Sequence, residues 1–148
     1  MKIVVQRVSE AKVEVDGSVT GSIQDGVLVL FGAQEGDEDD DTLWLVKKLV
    51  HLRIFNDENH KMNLSLVDIG GAALVVSQFT LFGDCRKGRR PSFGRAAAPA
   101  EANRLYEKFC HEIRAQDIVC EKGIFAADMK VSLVNDGPVT RILDTRDR

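Results

Sequence analysis

At 148 residues the chain has the length of one domain, with room for a core that needs no staples. Hydrophobic residues make up 44% and charged residues 29%, which excludes a disordered polyelectrolyte; no apolar run approaches the ~20 residues that span a bilayer. A net charge of −3 and a pI near 5.6 exclude a uniformly basic nucleic-acid binder.

The start, Met1 to Val8, has no signal-peptide core or cleavage site and is expected to form a first strand of a cytoplasmic protein. Val13-Glu14-Val15 alternates, Asp16-Gly17 signals a hairpin, and Ser18 to Ile23 resumes as a second strand. Asp25-Gly26 precedes Val27 to Gly32, a continuous apolar run typical of a strand buried on both faces. Acidic residues from Glu35 to Asp41 then suit the start of a helix predicted from about Thr42 to Ile54. They do not form a calcium loop: counted from Asp37, the sixth and twelfth places hold Thr42 and Lys48 rather than Gly and Glu. After the polar loop Asn56 to Lys61, Ala72 to Phe79 is predicted as another largely apolar strand.

A loop rich in Arg and Gly leads to a second helix starting near Pro99. Its Ala102, Leu105, Tyr106, Phe109, Cys110 and Ile113 recur at helical spacing and form one apolar stripe. Ile118 to Glu121, Met129 to Asp136 and Val139 to Arg146 are predicted strands. The expectation is a single α/β domain over residues 1–148, with a mixed, largely antiparallel barrel-like sheet and two helices.

Cys85, Cys110 and Cys120 are odd in number and irregularly spaced, which supports neither a disulfide framework nor a CxxC site. His51, His60 and His111 lack ligand spacing, and the chain has no nucleophile elbow, Walker loop or dinucleotide fingerprint. No metal and no cofactor are expected.

Three segments stand out. Ser77-Gln78 ends a buried strand, and hydroxyl, amide and backbone N–H groups there suit a developing oxyanion; equally, Ser77 and Thr80 suit local backbone bonds while Phe79 packs. Arg86, Lys87, Arg89, Arg90 and Arg95 form a basic cluster that fits a phosphate backbone or a solvated loop. Gly137-Pro138 interrupts a strand-like run and suits a hairpin turn or a rigid backbone device at a functional site.

Ser77-Gln78-Phe79-Thr80-Leu81 and Asn135-Asp136-Gly137-Pro138-Val139-Thr140 resemble the two signature motifs of the D-aminoacyl-tRNA deacylase family, SQFTL and NxGPVT. The resemblance extends over the chain's length, its first strand, the Asp16-Gly17 hairpin and both predicted helices. Ser77 and Phe79 disfavour the animal-type paralogue, whose first motif is PQATL. What the resemblance implies is hydrolysis of the ester joining a D-amino acid, or mischarged glycine, to the 3′-terminal adenosine of tRNA. It also implies a homodimer in which Gly137 and Pro138, joined by a cis bond, enter the partner's active site and reject L-amino acids.

Ser77, Gln78, Phe79 and Thr80 are then the catalytic candidates, with N–H groups around Gln78 and Phe79 facing the oxyanion. Thr80 is a nucleophile candidate in the family, and assistance by the RNA's own 2′-OH is the competing route. No His or Lys adjoins Thr80 in sequence to activate it, which favours the second route. Phe125 and Met129 are expected to wall the groove for the adenosine or to serve as ordinary core, and Arg86, Lys87, Arg89 and Arg90 to meet the acceptor stem. A non-catalytic RNA-binding module and a dimeric interaction protein are the alternatives from other classes.

Overall fold

The first strand organises the molecule. The structure is a computed structural model describing residues 1–148. In it β1 (Lys2–Val15) runs antiparallel to β8 (Lys130–Asp144) along almost its whole length. Its other edge pairs first with β3 (Gly26–Gly32) and then, through the Asp16-Gly17 turn, with β2 (Ser18–Ile23). Parallel pairing carries the sheet from β3 to β6 (Ala72–Ser77) and on to β7 (Cys120–Lys122). β7 returns against β2 without a ladder, and Gly21 permits the approach: a Cβ there would lie 2.8 Å from the Lys122 carbonyl oxygen. The result is a nearly closed, mixed barrel, as the sequence leads one to expect.

β3 alternates between two cores, which explains its unbroken apolar run. Val27, Val29 and Phe31 face the larger core beneath α1 (Asp39–Val50) and α3 (Pro99–Arg114); Leu28 faces the smaller one, with Val8, Val13, Leu74 and Val76. α3 buries the predicted stripe, and its Phe109 ring lies 5.0 Å from Phe31. The Tyr106 hydroxyl donates to the Val75 carbonyl at 2.9 Å and ties α3 to the strand that carries Ser77.

Three details differ from the sequence expectation. α1 begins inside the acidic run, where Glu38 and Asp41 form a reciprocal capping box and Asp39, Asp40 and Asp41 occupy the first turn. It stops at Val50, because the following turn delivers Ile54 and Phe55 to the core. A short third helix, α2 (Leu66–Ile69), follows the small hairpin of β4 (Phe55–Asn56) and β5 (Met62–Leu64). Ser65 and Asp68 cap its start and Gly70, at φ +60°, its end.

At Gly137-Pro138 the structure decides between the hairpin turn and the rigid backbone device that the sequence left open. Both halves of β8 pair with the same strand, Val8 opposite Asn135 and Gln6 opposite Thr140, so the segment between them is a wide bulge and not a hairpin turn. A hairpin would have paired the two halves with each other. The Gly137–Pro138 peptide bond is cis.

Candidate active site

β6 ends at the half-buried Ser77, and the Gln78 N–H donates to the Phe31 carbonyl at 2.6 Å as the last bond along β3 before the chain turns. A 3₁₀ turn, Phe79–Phe82, follows. Its leading N–H groups, those of Phe79 and Thr80, have no partner within the turn. The donor expected at Gln78 is therefore occupied, which leaves the Phe79 N–H as the free donor of the expected pair.

This strand end opens into a cleft of about 460 Å³, bounded by Ser77, Gln78 and Phe79, by the start of α3 and by the segment from Phe125 to Val131. Ala33, Ala96, Ala97 and Ala102 keep it wide. Phe125 and Met129 both line it and are half-buried. The Phe125 ring packs 6.2 Å from Tyr106, and a Cβ at Gly123 would lie 2.5 Å from the Met129 sulfur, so glycine there lets the thioether settle. Asp128 is the one titratable side chain on the lining; it is largely exposed and pairs with Lys130 at 3.1 Å. Thr80 is exposed and does not line the cleft; its hydroxyl accepts from the Gln78 side-chain amide.

The basic cluster occupies the loop between the 3₁₀ turn and α3. Its base is pinned by the reciprocal Asp84–Ser92 backbone bonds and by the Ala97 N–H donating to Ala33. Arg86 folds onto Asp84, and its guanidinium holds that carboxyl well below the usual carboxylate range. Lys87, Arg89, Arg90 and Arg95 are exposed and have no carboxylate within ion-pair distance.

Gly137 and Pro138 are exposed and, like the rest of the segment from Asn135 to Thr140, do not line their own chain's cleft. Arg7, only 7% exposed, fixes the bulge that presents them. Its Nε donates to the Asp136 carbonyl at 3.0 Å, and its Nη1 to the Ile54 carbonyl at 2.7 Å. From the other side the Asn135 amide donates to the carbonyls of Arg7 and Val139, each at 3.0 Å. Gly137 has φ +121°, and a Cβ on it would lie 2.6 Å from Arg7 Nη2.

The model of the family described as D-Tyr-tRNA(Tyr) deacylase matches residues 4–144. The chain belongs to that family. Among its relatives, a D-aminoacyl-tRNA deacylase of Geobacter sulfurreducens is 59% identical, over all of this chain and 97% of the relative. One of the same name from Geotalea daltonii is 60% identical, over all of this chain and 99% of the relative. A solved structure described as c-Myc DNA Unwinding Element Binding Protein superposes with a TM-score of 0.91 at 37% identity, covering 97% of this chain and 98% of that one. A structure described as a probable eukaryotic D-amino acid tRNA deacylase shares the fold, with a TM-score of 0.83 at 19% identity over 96% and 97% of the two chains.

In this deacylase-family chain the structure brings Ser77, Gln78, Phe79, Phe125 and Met129 to one cleft and leaves Thr80 at its margin. Arg7 was missed by sequence reasoning, and Asn135, quoted in the second motif, was given no role of its own. The signal for Arg7 was present: Ile3, Val5 and Arg7 share strand parity, so a charge interrupts an inward-facing apolar row.

Proposed function

We infer that this protein hydrolyses the ester between a D-amino acid, or mischarged glycine, and the 3′ end of tRNA, releasing free amino acid and tRNA. The observation that carries the reading is the pair of relatives named D-aminoacyl-tRNA deacylase at 59% and 60% identity across the whole chain. The cleft is chemically suited to the task. Its apolar walls and small alanine side chains accept many side chains, and the leading N–H of the 3₁₀ turn, that of Phe79 on the cleft's border, supplies a donor for a carbonyl that becomes an oxyanion.

With Asp128 the only titratable group on the lining, acid–base catalysis by the protein has little to work with. The residues therefore act by holding the ester in place and stabilising its developing charge, while the terminal ribose 2′-OH assists the attacking water. Thr80, without a base and bonded to the Gln78 amide, is not the nucleophile. The decisive assay compares release of a D-amino acid and its L-enantiomer from one tRNA. Expected is rapid release of the D-form only; equal rates, or no release, reject the reading. In the same assay Thr80→Ala is expected to retain turnover within about fivefold, whereas loss of the ~10⁴-fold or more typical of a deleted nucleophile would reinstate a covalent route.

The enzyme acts as a homodimer in the cytoplasm. β8 supports the dimer: it is a 15-residue edge strand paired on one side only, with Val134 49% and Ile142 66% exposed, and such edges call for a cover. Gly137 and Pro138, projecting from that strand away from their own cleft, enter the partner's. Backbone atoms placed against the substrate's α-carbon refuse L-residues without selecting among side chains, which a chirality filter requires. No helix is long and apolar enough to cross a membrane.

Lys87, Arg89 and Arg90 contact the phosphates of the acceptor end. Replacing all three with Gln is expected to flatten the dependence of log Kd on log salt by about 2, at roughly 0.7 per single-strand phosphate contact. The ratio of D- to L-hydrolysis should stay constant, and an unchanged salt slope would remove the loop from the tRNA interface.

A further inference from the structure

Phe79 and Phe93 stand together outside both hydrophobic cores, 54% and 37% exposed, with ring centroids 4.9 Å apart and planes at 66°. Such an edge-to-face pair is ordinary inside a protein and unusual in water, where its apolar faces stay wet. Its position is built rather than incidental. The Asp84–Ser92 backbone bonds fix the loop just before Phe93, and Gly83 leaves space for the ring: a Cβ there would lie 3.1 Å from Phe93 Cε1. Phe79 borders the cleft, whereas Phe93 does not, so the pair leads outward from the reaction site onto the basic loop. On that loop Lys87, Arg89 and Arg90 remain without carboxylate partners. Aromatic faces for bases beside free cations for phosphates are what single-stranded nucleic acid requires.

We propose that the Phe79–Phe93 pair is a stacking platform for the unpaired nucleotide that precedes the terminal adenosine of the substrate. The inference rests on the reading of the substrate as aminoacyl-tRNA and adds a second nucleotide subsite to it. The terminal nucleoside occupies the cleft between Phe79 and the Phe125–Met129 wall. The preceding base then meets Phe93, and its phosphates lie toward the cations.

The test compares two substrates: a D-aminoacyl-tRNA and the same D-amino acid esterified to adenosine alone. In wild-type protein the first should be preferred. Phe93→Ala is expected to lower that preference, the ratio of the two kcat/KM values, about tenfold, chiefly through KM for the tRNA. Phe93→Tyr should restore it, and the drop should persist at low and high salt alike, since stacking releases no counterions. With 2-aminopurine at the penultimate position of the tRNA, wild-type protein should quench its fluorescence and Phe93→Ala should not. An unchanged preference, or equal loss on both substrates, overturns the platform. Failure of wild-type protein to hydrolyse either ester overturns instead the underlying reading of the substrate, and the platform with it.

Discussion

Arg7→Ala is expected to cost about 2–4 kcal/mol of stability and to abolish most discrimination between D- and L-esters. The guanidinium is nearly buried and serves two main-chain carbonyls, Ile54 on one side and Asp136 on the other. Removing it leaves both acceptors short of a charged donor, and each such bond contributes roughly 1.5–3 kcal/mol without strict additivity. The exposed Asp136 carboxylate, 3.6 Å away and 60% exposed, adds little. The functional loss has the same origin, because the bulge then keeps the Asn135 amide bonds but no anchor at Asp136. Arg7→Lys should fall between, since an ammonium on a flexible stem cannot serve both carbonyls with a planar fork. Urea denaturation and the paired D/L release assay measure the two effects. A variant of wild-type stability and wild-type selectivity would show that the bulge holds its shape without Arg7.

Gly137→Ala attacks the same lock from the other side. Its Cβ would meet Arg7 Nη2 at 2.6 Å, and alanine at φ +121° is strained on its own account. The two substitutions should therefore couple. In the Arg7→Ala background the clash with Arg7 vanishes, while the 3.0 Å approach to Val139 Cγ2 and the backbone strain remain, so the double variant should cost less than the sum.

That lock shows where sequence reading stops. β3, α3 and the first hairpin were legible because their signals are local: a continuous apolar run, a 3.6-residue stripe, an Asp-Gly turn. The cleft was legible in part, through the polar pair Ser77-Gln78 at the end of an apolar strand. Gly137-Pro138 was not legible from its surroundings, since glycine followed by proline signals a turn just as well. Its true setting depends on β1, more than a hundred residues earlier in the chain, and on Arg7 reaching across the bulge. α2 was overlooked for a different reason. One turn is too short to show periodicity, although its Ser65–Asp68 capping box and Gly70 were there to be read. The occupied N–H of Gln78 follows from the last step of the parallel β3–β6 pairing, which no local pattern encodes.

Which subunit supplies the proposed filter can be decided by mixing two defective proteins. Gly137→Ala keeps a working cleft and disturbs the bulge; Ala97→Trp fills the cleft and leaves the bulge, which lies on a different surface of the chain. In the proposed homodimer, denaturing the two together and refolding produces random pairs. If the bulge acts across the interface, each Gly137→Ala cleft paired with an Ala97→Trp partner faces an intact filter. With a tenfold excess of Ala97→Trp nearly every working cleft is so paired, and the ratio of L- to D-hydrolysis should fall about tenfold relative to Gly137→Ala alone. If the bulge acts within its own chain, every working cleft still carries the altered filter and the ratio does not move. Thermal unfolding of Ala97→Trp alone, compared with wild type, checks that the filled cleft leaves the barrel folded. The geometry favours the first outcome, because Gly137 and Pro138 leave β8 beside Arg7, Phe55 and Asn56, whereas the cleft lies among β6, α3 and the Phe125–Val131 segment.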